Sequence, residues 1–292
     1  MSGTPKSNGY MIIGFTARVL RCLLVALVVL ASCGRSTPPD AILVGRAITF
    51  QDEFDGAAGS PPDAAVWWSD VGGAGWGNDE LQYYTDGDNT FLDGAGHLVI
   101  EAREESGDHS CWYGECRYTS GKLSTYSWSR PPTFAQKYGR FEARIKVPIG
   151  EGMFPAFWLL GDNIKSAGHP EAGEIDVMES LGHRANEVQQ HAHGPDLDFG
   201  SEMILPPGQS VEDWHTYAVE WTSDRIDWQV DGATTRTLTK EEADEGWVFD
   251  HPFFMILNLA VGGDWPGSPD SSTVFPARML VDYVRVYEAQ RG

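Results

Sequence analysis

Three carboxylates occupy six consecutive positions of an apolar, β-prone run, Gly173-Glu174-Ile175-Asp176-Val177-Met178-Glu179-Ser180. Side chains two apart on a strand share a face, so Glu174 and Asp176 point one way while regular pleating aims Glu179 the other. One residue bulging out at Val177 or Met178 returns Glu179 to their face, and bulges are common beside active sites. Two carboxyl groups about 5 to 5.5 Å apart serve a retaining glycosidase, one as nucleophile and one as proton donor to the leaving oxygen. Clustered acids cannot all ionise cheaply, so at least one pKa rises and a proton is kept for donation near neutral pH. The three should titrate as one coupled unit. The competing reading of such alternation is a solvated strand face. Nucleophilic serine chemistry is not indicated, because the chain has no Gly-x-Ser-x-Gly elbow and Ser180 has no identifiable base.

The elements that must hold these acids read as strands. Runs such as His97 to Ala102, Arg140 to Val147 and Trp214 to Trp221 are rich in β-branched and aromatic residues, and 33 Gly and 17 Pro supply frequent turns between them. Long amphipathic helices are not apparent. Thr239 to Gly246 has a short acidic, helix-compatible composition, and no repeat or heptad emerges. The expectation is an all-β chain folded as one domain with a large core.

Flanking motifs extend the pattern: Gly75-Trp76-Gly77-Asn78-Asp79-Glu80-Leu81-Gln82-Tyr83-Tyr84, Tyr138-Gly139-Arg140-Phe141-Glu142-Ala143-Arg144-Ile145-Lys146, Pro155-Ala156-Phe157-Trp158-Leu159-Leu160-Gly161, Asn258 to Gly267 and Val281 to Tyr287. With the acidic run they resemble glycoside hydrolase family 16 over roughly residues 48 to 288, and Met178 resembles the laminarinase-like, endo-β-1,3-glucanase branch. The resemblance implies a jelly-roll β-sandwich of two antiparallel curved sheets with an open substrate cleft, a catalytic domain over 48–289, and no cofactor for the chemistry. By the same resemblance Glu174 is the nucleophile, Glu179 the general acid and then base, and Asp176 the group between that tunes both. The implied activity is double-displacement hydrolysis of a neutral β-1,3-glucan. Transglycosylation on the same β-glucans and non-catalytic glycan binding are the alternatives, and an intact acid trio disfavours the second.

Eleven tryptophans suit a sugar-binding surface, and Trp158 and Trp265 are expected at the cleft. Asn78, Lys122 and His193 match family positions that contact glucan hydroxyls. Lys122 stands where laminarinases often carry Arg, giving a point contact instead of a fork. Asp79 and Asp264 replace a common Asn, and Asp196-Leu197-Asp198-Phe199 lacks the usual glycine-rich continuation. The resemblance also suggests a structural calcium held by Asp282, Glu53 and the Gly96 carbonyl, all oxygen donors. His191 and His193 form a pair for which the sequence shows no third ligand.

Residues 1–33 read as a lipoprotein-type signal segment. Lys6, Arg18 and Arg21 precede an apolar run from Cys22 to Ala31, too short to span a bilayer, and Leu30-Ala31-Ser32-Cys33 resembles a lipoprotein cleavage box that would leave Cys33 lipid-bearing. Residues 34–47 would be a tether. The protein is expected to be exported, as a bacterial cell-surface lipoprotein or secreted. Cys111 and Cys116 remain for a disulfide in the oxidising compartment; a zinc site would lack ligands. None of the 42 acids precedes Cys33 whereas three of the 21 basic residues do, so processing leaves a net charge of −24. Such a surface repels nucleic acid, acidic glycans and anionic lipid. Membrane attachment would rest on the lipid alone, and nothing in the chain calls for more than a monomer.

Overall fold

The computed structural model describes residues 45–105 and 108–290. The signal segment, Cys33 and most of the expected tether lie outside the described residues. The end of that tether is already part of the domain: the Arg46 guanidinium pairs with Glu220 at 2.7 Å and donates to the Glu288 carbonyl, two residues before the first strand begins at Ile48.

Among the described residues, the strands form two large sheets and one small hairpin. The larger sheet runs Ala233–Thr239, Arg225–Val230, His215–Trp221, Gly139–Lys146, Ala277–Tyr287, Leu98–Glu104, Tyr118–Ser120 and Gln82–Tyr84. Its last pair is parallel. The smaller sheet runs Leu197–Ile204, Glu187–Gly194, Glu174–Glu179, Met153–Gly161, Phe253–Val261, Lys122–Ser124 and Trp68–Ser69, antiparallel throughout. Two short helical segments complete the elements used below. Ile164–Ala167 was not foreseen; Lys240–Ala243 falls where expected and starts with a reciprocal cap between Thr239 and Glu242.

Period-two alternation decides which face of the smaller sheet is core and which is cleft. Along Phe253–Val261, residues Phe253, Met255, Leu257, Leu259 and Val261 enter the main hydrophobic core, while Phe254, Ile256 and Asn258 face the cleft. On Met153–Gly161, Met153, Phe157 and Leu159 go inward while Phe154, Ala156, Trp158 and Leu160 line the cleft. Both faces are thereby covered, which is why these strands read as nearly continuous apolar runs.

The acidic strand breaks this alternation at one point. On one side Trp158 faces Asp176 and Phe157 faces Met178, leaving Val177 without an opposite residue. On the other, Asp176 faces His191 and Glu179 faces Gln189, so Val177 and Met178 together oppose Gln190. The bulge turns both Val177 and Met178 into the core and lifts Glu179 onto the face of Glu174 and Asp176. Entry to the strand is also constrained: Gly173 has φ 73°, and a Cβ there would lie 2.9 Å from the Phe253 ring.

A tie from the opposite sheet reaches the bulge through the core. The indole of Trp228, fully buried, donates to the Asp176 carbonyl at 2.8 Å. Replacing it by Phe removes this hydrogen bond from the core, at a cost of about 1–3 kcal/mol. We expect Trp228→Phe to lower the urea midpoint accordingly with an unchanged slope; a midpoint equal to that of the parent would show that the tie is energetically idle.

Candidate active site

The cleft is about 770 Å³ in volume, and its floor carries Glu174, Asp176 and Glu179 with His191 and His193 from the adjoining strand. Glu187–Gly194 alternates as its neighbours do, sending Val188 and Ala192 into the core and the two imidazoles to the acids. His191 Nδ1 lies 2.7 Å from Glu179, and His193 Nε2 lies 3.4 Å from Asp176. On its other side His193 meets Asp198 at 3.2 Å, so the atypical stretch after His193 supplies a carboxylate to the site. His169 approaches Glu174 from the loop preceding the strand, at 3.5 Å.

Burial is the main force on the acids. It pushes Glu174 up to about 8, with the charge of Asp176 adding to the rise and His193 and Lys122 opposing it. Asp176 is pushed up to about 6 by burial and then by Glu179. Glu179 is also raised by burial, against the hydrogen bond from His191. Burial disfavours the imidazolium of His193, but the hydrogen bond and charge of Asp176 outweigh it and push the ring up to about 9. His191 rises in the same way, with Glu179 as the partner that overcomes burial. The acids thus hold one proton through neutral pH while both imidazoles favour the charged form.

Lys122 enters from Lys122–Ser124 as a nearly buried cation. Its Nζ sits 4.4 Å from the Trp76 ring centroid, 5.0 Å from that of Trp158 and 3.8 Å from Asp70. Burial lowers its pKa, and Asp70, Glu80 and Glu174 work against that. Glu80, buried beside it, is pushed up to about 7 by desolvation, with hydrogen bonds from Gln82 at 2.7 Å and Tyr84 at 3.3 Å opposing the rise. The Tyr84 hydroxyl accepts from Asn258, whose Oδ1 accepts the Trp158 indole at 2.7 Å. Trp158 therefore stands over the floor with its polar edge fixed from below.

All five sequence-derived substrate residues line this cleft: Asn78, Lys122, Trp158, His193 and Trp265. Asn78 Oδ1 accepts the Trp265 backbone N–H at 3.3 Å, and the half-exposed Trp265 ring packs edge-on against Phe154 and His191. Sequence reasoning missed Asp70, Glu80, Asn258 and His169. Glu80 had a readable signal, because it alternates with Gln82 and Tyr84. Asp70 had none. Cys111 and Cys116 form a disulfide in a two-stranded hairpin. From that hairpin, the Trp112 indole donates to the Glu80 carbonyl at 2.8 Å and the Tyr113 hydroxyl to the Leu81 carbonyl at 2.6 Å, bracing the loop that carries Asn78.

The two carboxylates expected to hold calcium are paired with arginines in this structure. Both Glu53 oxygens accept from one edge of the Arg285 guanidinium, Nε at 2.7 Å and Nη2 at 2.8 Å, and Asp282 accepts from Arg144 at 2.6 Å. Neither belongs to a three-ligand group of acidic or histidine side chains among the described residues. Gly96 sits at φ 90° in the turn that follows Asp93. The ligand groupings that do occur, Glu174–Asp176–His193 and Asp176–Glu179–His191, coincide with the acid trio, and each has donor atoms within 4.8 Å of one another. His191 and His193 thus find their third and fourth neighbours in the acids themselves, as ion pairs.

A two-sheet sandwich whose cleft floor presents three clustered carboxylates between tryptophan rings is the architecture of an enzyme that acts on glycans. Comparison with known proteins agrees. The family described as glycosyl hydrolases family 16 matches residues 77–285. The beta-glucanase of Rhodothermus marinus is 40% identical over 260 residues, covering 82% of this chain and 84% of that protein. The glucan endo-1,3-beta-glucosidase A1 of Niallia circulans is 34% identical over 87% of this chain, which spans 39% of that longer protein. The laminarinase catalytic domain from Thermotoga maritima superposes with a TM-score of 0.77 at 43% identity, covering 84% of this chain and 99% of that domain. The chain belongs to glycosyl hydrolases family 16 and is a glycoside hydrolase.

A carboxyl whose folded pKa lies above its unfolded value favours folding at low pH, and that contribution disappears as pH rises through the folded pKa. Glu174 therefore weighs against the folded state above about pH 8. We expect the melting temperature of Glu174→Gln, relative to the parent, to climb between about pH 5 and pH 8 and to level off above that. A difference independent of pH would mean that Glu174 is not held under charge stress.

Proposed function

We propose that this protein is an endo-acting β-1,3-glucanase that cleaves by double displacement with Glu174 as nucleophile and Glu179 as acid and then base. The observation that carries the reading is the bulge, which sets Glu174, Asp176 and Glu179 on one face beneath the aromatic cleft. In the first step a Glu174 oxygen bonds the anomeric carbon. The glycosidic C–O bond breaks, and the Glu179 proton goes to the leaving oxygen. In the second, Glu179 takes a proton from water, the water oxygen bonds the anomeric carbon, and the bond to Glu174 breaks.

In the free enzyme burial weighs heavily on Glu174; for this chemistry the proton the trio retains must pass to Glu179, and positive charge developing at the anomeric carbon favours the ionised Glu174 that this leaves. Asp176 lies between the two acids as the group through which their charges are balanced. The preference for β-1,3-glucan draws support from the relatives named above, one a glucan endo-1,3-beta-glucosidase and one a laminarinase. Neutrality of the substrate draws support from the acidic net charge and from a cleft in which Lys122, His191 and His193 are already paired with acids.

Reducing-sugar release from laminarin tests the assignment. Release should vanish in Glu174→Ala and return on adding azide, with the glycosyl azide of inverted configuration as product. Persistent hydrolysis by Glu174→Ala, or a dead variant that azide does not revive, would count against the nucleophile.

We further propose that Cys33 carries a lipid and tethers the enzyme to the surface of the exporting cell. The support is the apolar run ending in Leu30-Ala31-Ser32-Cys33 and the Ser-, Thr- and Pro-containing stretch after it. Mass spectrometry of the mature protein should find a diacylglycerol-modified N-terminal Cys33; an unmodified terminus beyond residue 33 would end the anchor reading.

A further inference from the structure

The cleft extends past the acids along one row of the smaller sheet. Leu160 lies opposite Glu174 on one neighbouring strand and opposite Phe254 on the other. Phe254 stacks on Tyr126 with centroids 4.3 Å apart, and Tyr126 meets Trp128 edge-on at 6.0 Å. A run of ring faces therefore leads from beside the nucleophile to the rim, where Trp128 is 63% exposed yet lines the same cavity as Glu174.

A single exposed tryptophan is ordinary. This one is the end of a continuous aromatic wall and is fixed by a cation: Lys165 Nζ lies 5.2 Å from the Tyr126 centroid and 6.0 Å from that of Trp128, and donates to the Ser127 carbonyl at 3.4 Å. Holding rings in place before binding removes part of the ordering cost that a flexible loop would incur. The wall is mostly carbon, edged by the Lys165 ammonium and the Ser127 and Ser129 hydroxyls, which lie 3.1 Å apart. Flat ring faces with a few polar groups at the margin match a neutral β-linked pyranose, whose C–H face is apolar and whose hydroxyls point outward. An acidic sugar would gain from Lys165 but would meet the net negative charge of the chain.

We propose that Trp128, with Tyr126 and Lys165, forms a distal subsite that binds a glucosyl unit of the substrate chain remote from the bond being cleaved. This rests on the glucanase reading above. The subsite contributes affinity for long chains and leaves the reacting groups untouched, so its signature is a length dependence.

The test is kcat/KM on β-1,3-gluco-oligosaccharides of increasing length for the parent, Trp128→Ala and Trp128→Phe. The parent should improve with length. Trp128→Ala should match it on the shortest cleaved substrates and fall roughly five- to tenfold behind on the longest, the scale of one aromatic contact. Trp128→Phe should recover most of that gap. An equal loss at every length, or no loss at any, overturns the subsite while leaving the glucanase assignment standing. A parent that cleaves no oligosaccharide overturns both.

Discussion

One extra residue in one strand is the constraint on which the rest of the site depends. Without the bulge at Val177 and Met178, the side-chain period of two would turn Glu179 into the sandwich core, where an acid has no partner. With it, two adjacent apolar side chains enter the core together and three acids stand on the cleft face. The fold secures the irregularity from behind, with Trp228 of the opposite sheet capping the Asp176 carbonyl. A packing device thus serves as a catalytic one, because the residues that anchor the bulge are core residues.

Placing three acids together in a buried floor creates an electrostatic problem that the neighbouring strand answers. His191 pairs with Glu179 and His193 with Asp176, while Lys122 acts on Glu174 from across the cleft. The compensation is incomplete: all three acids remain raised, Glu174 above Asp176. That residual stress keeps one proton available at neutral pH, which general acid catalysis requires. Stability is given up locally so that the cluster retains a proton that can be passed to the leaving oxygen.

Much of this was legible in the sequence because strand periodicity makes direct statements about faces. Glu174, Asp176 and Glu179 could be placed on one surface by counting, and the need for a bulge followed from the same count. The strands at Leu98–Glu104, Gly139–Lys146 and His215–Trp221 fall where their β-branched and aromatic runs predicted. The helix at Lys240–Ala243 was readable from its acidic, helix-compatible composition, whereas Ile164–Ala167 left no such signal. Partners across long sequence separations were not legible. Asp70 reaches Lys122 because Trp68–Ser69 adds to the edge of the smaller sheet, and no local pattern announces that pairing. The same limit applies to Glu53 and Asp282, whose engagement by Arg285 and Arg144 depends on which strands lie side by side. Trp128 reads in sequence as one more loop tryptophan, and only the stacking of Tyr126 on Phe254 shows that it continues the cleft.

We propose that the bulge brings Glu174 and Glu179 to the separation at which one attacks and the other protonates. That separation dictates stereochemistry, since a wider pair would leave room for water and invert the anomeric centre. Proton NMR of the first sugar released from a β-1,3-gluco-oligosaccharide, recorded before mutarotation, measures this directly. The account predicts that the β-anomer appears first and the α-anomer only later, by mutarotation. Initial accumulation of the α-anomer would contradict it.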